Sequence, residues 1–120
     1  MSMLSQYERP VVITGGIVRN RDWILGESIW RIRSQGEAAY PWHLYYITGD
    51  NNDSTEMVLR AHAREDAMPS LSYDVINTGY PGYERKGGPT RYGSDNMGWL
   101  RNAWVRLCIE QWPNLTHLWI

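Results

Sequence analysis

The sequence contains no phenylalanine, one cysteine and one lysine. A lone thiol, Cys108, cannot close an internal disulfide and cannot build a cysteine-based zinc site. It lies in an apolar helical stretch, which suits a buried, inert thiol. No apolar run approaches the roughly 20 residues that a bilayer-spanning helix needs. The first nine residues lack the basic and apolar segments of a secretory signal, so a cytoplasmic location is expected. Neither sign of charge dominates. The net charge is −1, which argues against nucleic acid or an anionic membrane surface as a partner. A Walker A pattern is absent, and so is the full glycine fingerprint of a dinucleotide fold.

What is present is a chain of 120 residues, the size of one domain spanning residues 1–120. A chain of this length buries roughly two-thirds of its unfolded surface, enough for a core of its own. Seven tryptophans and eight tyrosines take the place of phenylalanine. Such side chains fill cores, and they also stack on sugars and bases. Every basic residue except Lys86 is arginine. Arginine favours bidentate contacts with phosphate or carboxylate, although codon usage accounts for the same excess.

Hydrophobic periodicity divides the chain into seven elements. The β-branched run at residues 11–18 predicts a strand buried on both faces. Leu25, Ile29 and Ile32 mark one face of a helix over 22–34, with Asp22 near its start and Gly36 beyond its end. Residues 43–48 predict a second strand. A polar turn at 49–53 follows, and Asp53 with Glu56 has the spacing of a capping box. The helix it opens runs to about residue 65, with Met57, Val58 and Ala61 inward. A short third strand is expected at 73–78. Glycine, proline and charge then dominate 79–93, the composition of a flexible loop. Ser94 and Asp95 can cap a long helix to Gln111, on which Met97, Leu100, Trp104, Leu107 and Cys108 share a face. Val105, Ile109 and Trp112 lie on another side, so wide burial is expected. Residues 115–120 form the fourth strand.

The order β-α-β-α-β-α-β implies an α/β fold, a Rossmann-like parallel sheet of about four strands with helices on both faces. Ligands of such sheets bind at the carboxyl ends of the strands, near a switch in strand order. Arg19-Asn20, Asp50-Asn51-Asn52 and Asn77-Thr78-Gly79 then share one rim, which is the functional candidate on topology alone. No acidic pair has the spacing of a metal site. Asp74 falls inside a strand and Asp95 at a helix start, and His43, His62 and His117 show no ligand spacing. Lone histidines of this kind are read as structural or solvated.

The run Val11-Val12-Ile13-Thr14-Gly15-Gly16 invites comparison with short-chain dehydrogenases. The next glycine is Gly26, however, and Tyr83 and Lys86 stand one residue too close for that family's Tyr-x-x-x-Lys. Three other blocks resemble nucleotide-sugar glycosyltransferases of the GT-A type, especially the family 2-like group. Gly16-Ile17-Val18-Arg19-Asn20-Arg21-Asp22-Trp23 is similar to that family's first strand and its Arg-Asn turn. Tyr45-Tyr46-Ile47-Thr48-Gly49-Asp50-Asn51-Asn52-Asp53 is similar to its second strand and polar loop, though one or two residues shorter. Residues 96–120, with Leu100-Arg101-Asn102 on the helix, resemble the helix and strand that precede the family's Asp-x-Asp.

The resemblance implies that Arg19 and Asn20 line a nucleotide pocket, that Asp50 accepts hydrogen bonds from the base, and that Arg101 approaches the diphosphate. An ion pair at the surface is an equal reading for Arg101, and Asp53 is read as a helix cap rather than a ligand contact. The Asp-x-Asp that would hold Mg²⁺ or Mn²⁺ is not in the sequence. Binding of a nucleoside diphosphate sugar is therefore expected to be weak or absent in this chain alone, transfer is not expected, and no catalytic residue is assigned. A metal is expected only where the acidic segment is present. Two other readings stand beside this one. One is a non-catalytic α/β scaffold that self-assembles through an exposed sheet edge or apolar face. The other is a carbohydrate binder that uses aromatic platforms such as Tyr80 and Tyr83.

Overall fold

The computed structural model describes residues 11–34, 42–64, 69–78 and 91–119, with the backbone alone for 91–97 and 119. Four strands, β1 (Val12–Val18), β2 (Trp42–Thr48), β3 (Ser70–Val75) and β4 (His117–Trp119), form one sheet in the order β3-β2-β1-β4. Every pairing is parallel. Three helices connect them: α1 (Asp22–Arg33), α2 (Thr55–His62) and α3 (Arg91–Gln111). The expected Rossmann-like α/β architecture is therefore present. The strand order places a topological switch between β1 and β4.

Two cores lie on opposite faces of the sheet. On one face Leu25 and Ile29 of α1 and Leu59 of α2 pack on Leu44, Tyr46 and Leu71. On the other, Leu100, Ala103, Trp104 and Cys108 of α3 pack on Ile13, Tyr45 and Ile47. Odd residues of β2 thus face α3 and even residues face α1 and α2, the alternation a pleated strand imposes. Burying a Leu or Ile side chain contributes about 1.5–3 kcal/mol. A helix cap contributes about 1 kcal/mol, so packing rather than capping holds these helices in place. Cys108 is fully buried, as its surroundings in the sequence suggest. Burial pushes its thiol up to about 12.

Several details depart from the sequence reading. In β1 only Val12 and Ile13 are buried. The reason is that β4 pairs only with residues 12–14, and Gly15-Gly16 carry no side chain to bury. Met57 faces solvent at 67% exposure, and Leu59 takes the inward place expected of it. Thr55 and Leu59, four residues apart, set the phase of α2. The third strand begins at Ser70, three residues before the expected start, because Leu71 and not the later run packs under α1 and α2. The long helix begins at Arg91 rather than Ser94. Residues 79–90 of the expected loop lie outside the described residues, as do Tyr80 and Tyr83. Ile109 is 53% exposed, so α3 is less widely buried than its sequence suggests. Among the described residues, no helix is long and apolar enough to cross a membrane.

The capping box also differs from expectation. Ser54 is the N-cap of α2 and makes no side-chain cap bond, while the Glu56 carboxylate lies 3.7 Å from Arg60. Asp53 instead joins two helix starts. Its carboxylate accepts from the Thr55 amide and hydroxyl, at 3.0 and 2.6 Å, and from the Asp22 amide of α1 at 3.2 Å. Asp22 reciprocates by accepting from the Ser54 amide at 3.2 Å. Two positive helix ends thus share two carboxylates, which offsets the charge concentrated at each end. Desolvation raises the Asp53 pKa, but the bonds from Thr55 and Asp22 outweigh it and hold the carboxyl below its ordinary value.

Candidate functional site: the carboxyl rim of the sheet

The strand-to-helix turns after β1 and β2 each solve a local backbone problem with a polar side chain. Asn20 after β1 and Asp50 after β2 both adopt left-handed backbone, with φ of 50° and 51°. Asn and Asp tolerate this region better than other side chains with a Cβ. Between them Gly49 lies against the end of β3. A Cβ there would stand 1.9 Å from the Ile76 carbonyl oxygen, so only glycine fits.

The turns are bound to each other by side chains. Arg19 donates through Nε to the Asp50 carbonyl at 3.0 Å. The Asn20 amide donates to the Asn51 side-chain oxygen at 2.9 Å, and the Asn52 amide donates to the Asn20 side-chain oxygen at 2.6 Å. Asn51 also donates to the Thr48 hydroxyl at 2.7 Å, which in turn donates to the Val18 carbonyl. Asp50 connects to β3. Its amide donates to the Asn77 side chain at 2.8 Å, and its carboxylate Oδ2 accepts from the Thr78 amide and hydroxyl at 2.8 and 2.9 Å. The Arg21 amide donates to the Thr55 hydroxyl at the start of α2.

Three of the four residues expected to hold a nucleotide, Arg19, Asn20 and Asp50, are therefore brought together. The fourth, Arg101, is exposed on α3, and no hydrogen bond or ion pair among the described residues joins it to the others. Asp50 also ties the β2 turn to the end of β3. One of its carboxylate oxygens accepts from Thr78. Among the described residues no group of three or more His, Cys, Asp or Glu converges to hold a metal ion.

A second polar cluster was not foreseen in the sequence. It lies at the opposite end of the sheet, on the face that carries α3. A cavity of about 250 Å³ is lined by His43, Ser70, Leu71, Ser72 and Trp112. His43 and Ser70 are register partners on β2 and β3, and the His43 Nδ1 lies 2.5 Å from the Ser70 hydroxyl. Trp112 stacks on the imidazole with ring centres 5.5 Å apart and meets Tyr45 edge-on. Tyr45 donates to the Asp74 carboxylate, which also accepts from Gln111 at 3.4 Å. Burial, reinforced by Asp74, pushes the Tyr45 phenol well above its ordinary value. Burial lowers the His43 pKa. The alternation Ser70, Ser72, Asp74 was a visible signal of a polar face on an edge strand. Its meeting with His43 depends on strand register.

Comparison with protein-family models, with curated proteins and with solved structures finds no match to this chain.

Proposed function

We propose that this chain is the nucleotide-sugar-binding part of a GT-A-like glycosyltransferase, with the carboxyl rim as its nucleotide site. The observation that carries the reading is the convergence of the β1, β2 and β3 ends on one bonded rim, next to the switch between β1 and β4. Open parallel sheets bind nucleotides at that place. Arg19 and Asn20 supply the polar edge of the pocket, and Asp50 positions Thr78 as well as facing the ligand. Arg101 approaches the diphosphate from α3. Transfer by this chain alone is not part of the proposal.

The experiment is an amide chemical-shift titration with UDP, GDP, ADP, CDP and TDP at millimolar concentration. The expected result is a set of shifts confined to residues 19–20, 50–52 and 77–78 for at least one nucleotide, lost in Arg19→Ala. Shifts scattered over the surface, or none with any of the five, would overturn the reading.

A self-assembling scaffold is the second reading, and one observation favours it. Trp23 and Trp30, seven residues apart on one stripe of α1, are 74% and 65% exposed. Dimerisation in sedimentation that nucleotide leaves unchanged, and that Trp30→Ser abolishes, is its expected signature.

A further inference from the structure

We propose that Ser70 is an acylatable nucleophile served by His43 as general base, in a cavity that admits small esters with short apolar acyl groups. The proposal does not depend on the nucleotide reading, because the two sites lie at opposite ends of the strands.

A serine hydroxyl becomes a useful nucleophile when a neutral base stands within hydrogen-bond reach and is held in orientation by a third group. The first condition is met at 2.5 Å between Ser70 Oγ and His43 Nδ1. With the imidazole proton on Nε2, Nδ1 accepts from the hydroxyl. The second is met by Trp112, whose indole stacks on the imidazole at 26° between ring planes. Here an aromatic ring, rather than a carboxylate, holds the base. Burial keeps the imidazole neutral to lower pH than usual, and Asp74 and Tyr45, on the same sheet face, bond to each other.

The nucleophile also opens on space for a substrate. Ser70 lines the cavity with Ser72 and Trp112, which carry a hydroxyl and an indole N–H as donors for a developing oxyanion. The Trp112 ring supplies apolar wall for an acyl chain. In the reaction Ser70 Oγ bonds to the ester carbonyl carbon as its proton passes to His43 Nδ1. The ester C–O bond then breaks, and His43 returns the proton to the departing alkoxide. Water, deprotonated by His43, attacks the acyl group and releases a carboxylic acid and free Ser70.

The test uses the full 120-residue chain and diisopropyl fluorophosphate, with which Ser70 Oγ bonds to phosphorus and fluoride leaves. The expected product carries one diisopropylphosphoryl group, located on Ser70 by peptide mass spectrometry. Ser70→Ala abolishes the adduct, and His43→Gln slows it by about 100-fold, the size of a general-base contribution. Circular dichroism melts establish that both variants fold. A readout that needs no variant is the labelling rate against pH, which rises below pH 6.5 and is level above it as His43 loses its proton. No adduct, an adduct on another residue, equal labelling in His43→Gln, or a rate that climbs with hydroxide without levelling would each overturn the proposal.

Discussion

His43 connects a buried side chain to the pH dependence of folding. Its imidazole is desolvated in the fold and titrates below its ordinary value of 6.5. In the unfolded chain it titrates near that value, so between the two pKa values the unfolded state binds more protons. Stability therefore rises with pH across that window and is level above it. Urea midpoints are expected to fall as pH drops below 6.5, and His43→Asn is expected to flatten part of that slope. Identical slopes for the two proteins would show that His43 stays solvated. The sequence offered little warning of this behaviour. A lone histidine at the start of a strand reads as structural, and its neighbours Ser70 and Trp112 are distant along the chain. Asp53 was more legible, since a carboxylate before a helix is a capping signal. Its second bond, to the start of α1, required the two helix ends to meet in space.

At the scale of the element, strand β1 turns on two adjacent glycines with different jobs. Gly15 and Gly16 have φ of 133° and 138°, a region that side chains with a Cβ rarely enter. A Cβ on Gly16 would meet nothing within 4 Å, whereas one on Gly15 would stand 2.1 Å from the Tyr45 carbonyl oxygen. That same oxygen accepts the Trp104 indole N–H at 2.8 Å, tying α3 to β2. Gly16→Ala should therefore suffer backbone strain alone, about 1–3 kcal/mol. Gly15→Ala adds a collision with the backbone of a central strand, and a loss above about 4 kcal/mol is expected. Denaturant titration of both variants checks this, and equal losses would mean that β2 gives way freely. The apolar run at residues 11–18 placed both glycines inside the strand, where they lie. Their φ and the approach of β2 are tertiary facts that no local pattern carries.

For the molecule as a whole, alternation of elements was the legible part. β-branched runs and helical stripes alternate along the chain, and handedness then leaves few topologies. The rim followed from topology, because strand ends are known once strands are. The third strand was misplaced because Ser70 and Ser72 sit on a half-covered edge, where the hydrophobic signal is weak. The same asymmetry predicts how the sheet opens. β2 is paired on both sides and is buried at Trp42 and from Leu44 to Thr48. β4 is an edge strand joined to β1 through three register pairs, supported by Thr116 bonding at Val11. Local opening free energy follows buried contacts and shared hydrogen bonds. Native-state hydrogen exchange should therefore find β2 and the Val12–Thr14 part of β1 most protected, β3 intermediate and β4 least. In low denaturant the amides of β4 should exchange by local opening while those of β2 await global unfolding. If β4 amides are as protected as those of β2, the sheet opens as one cooperative unit and its edge pairing is stronger than three register pairs imply.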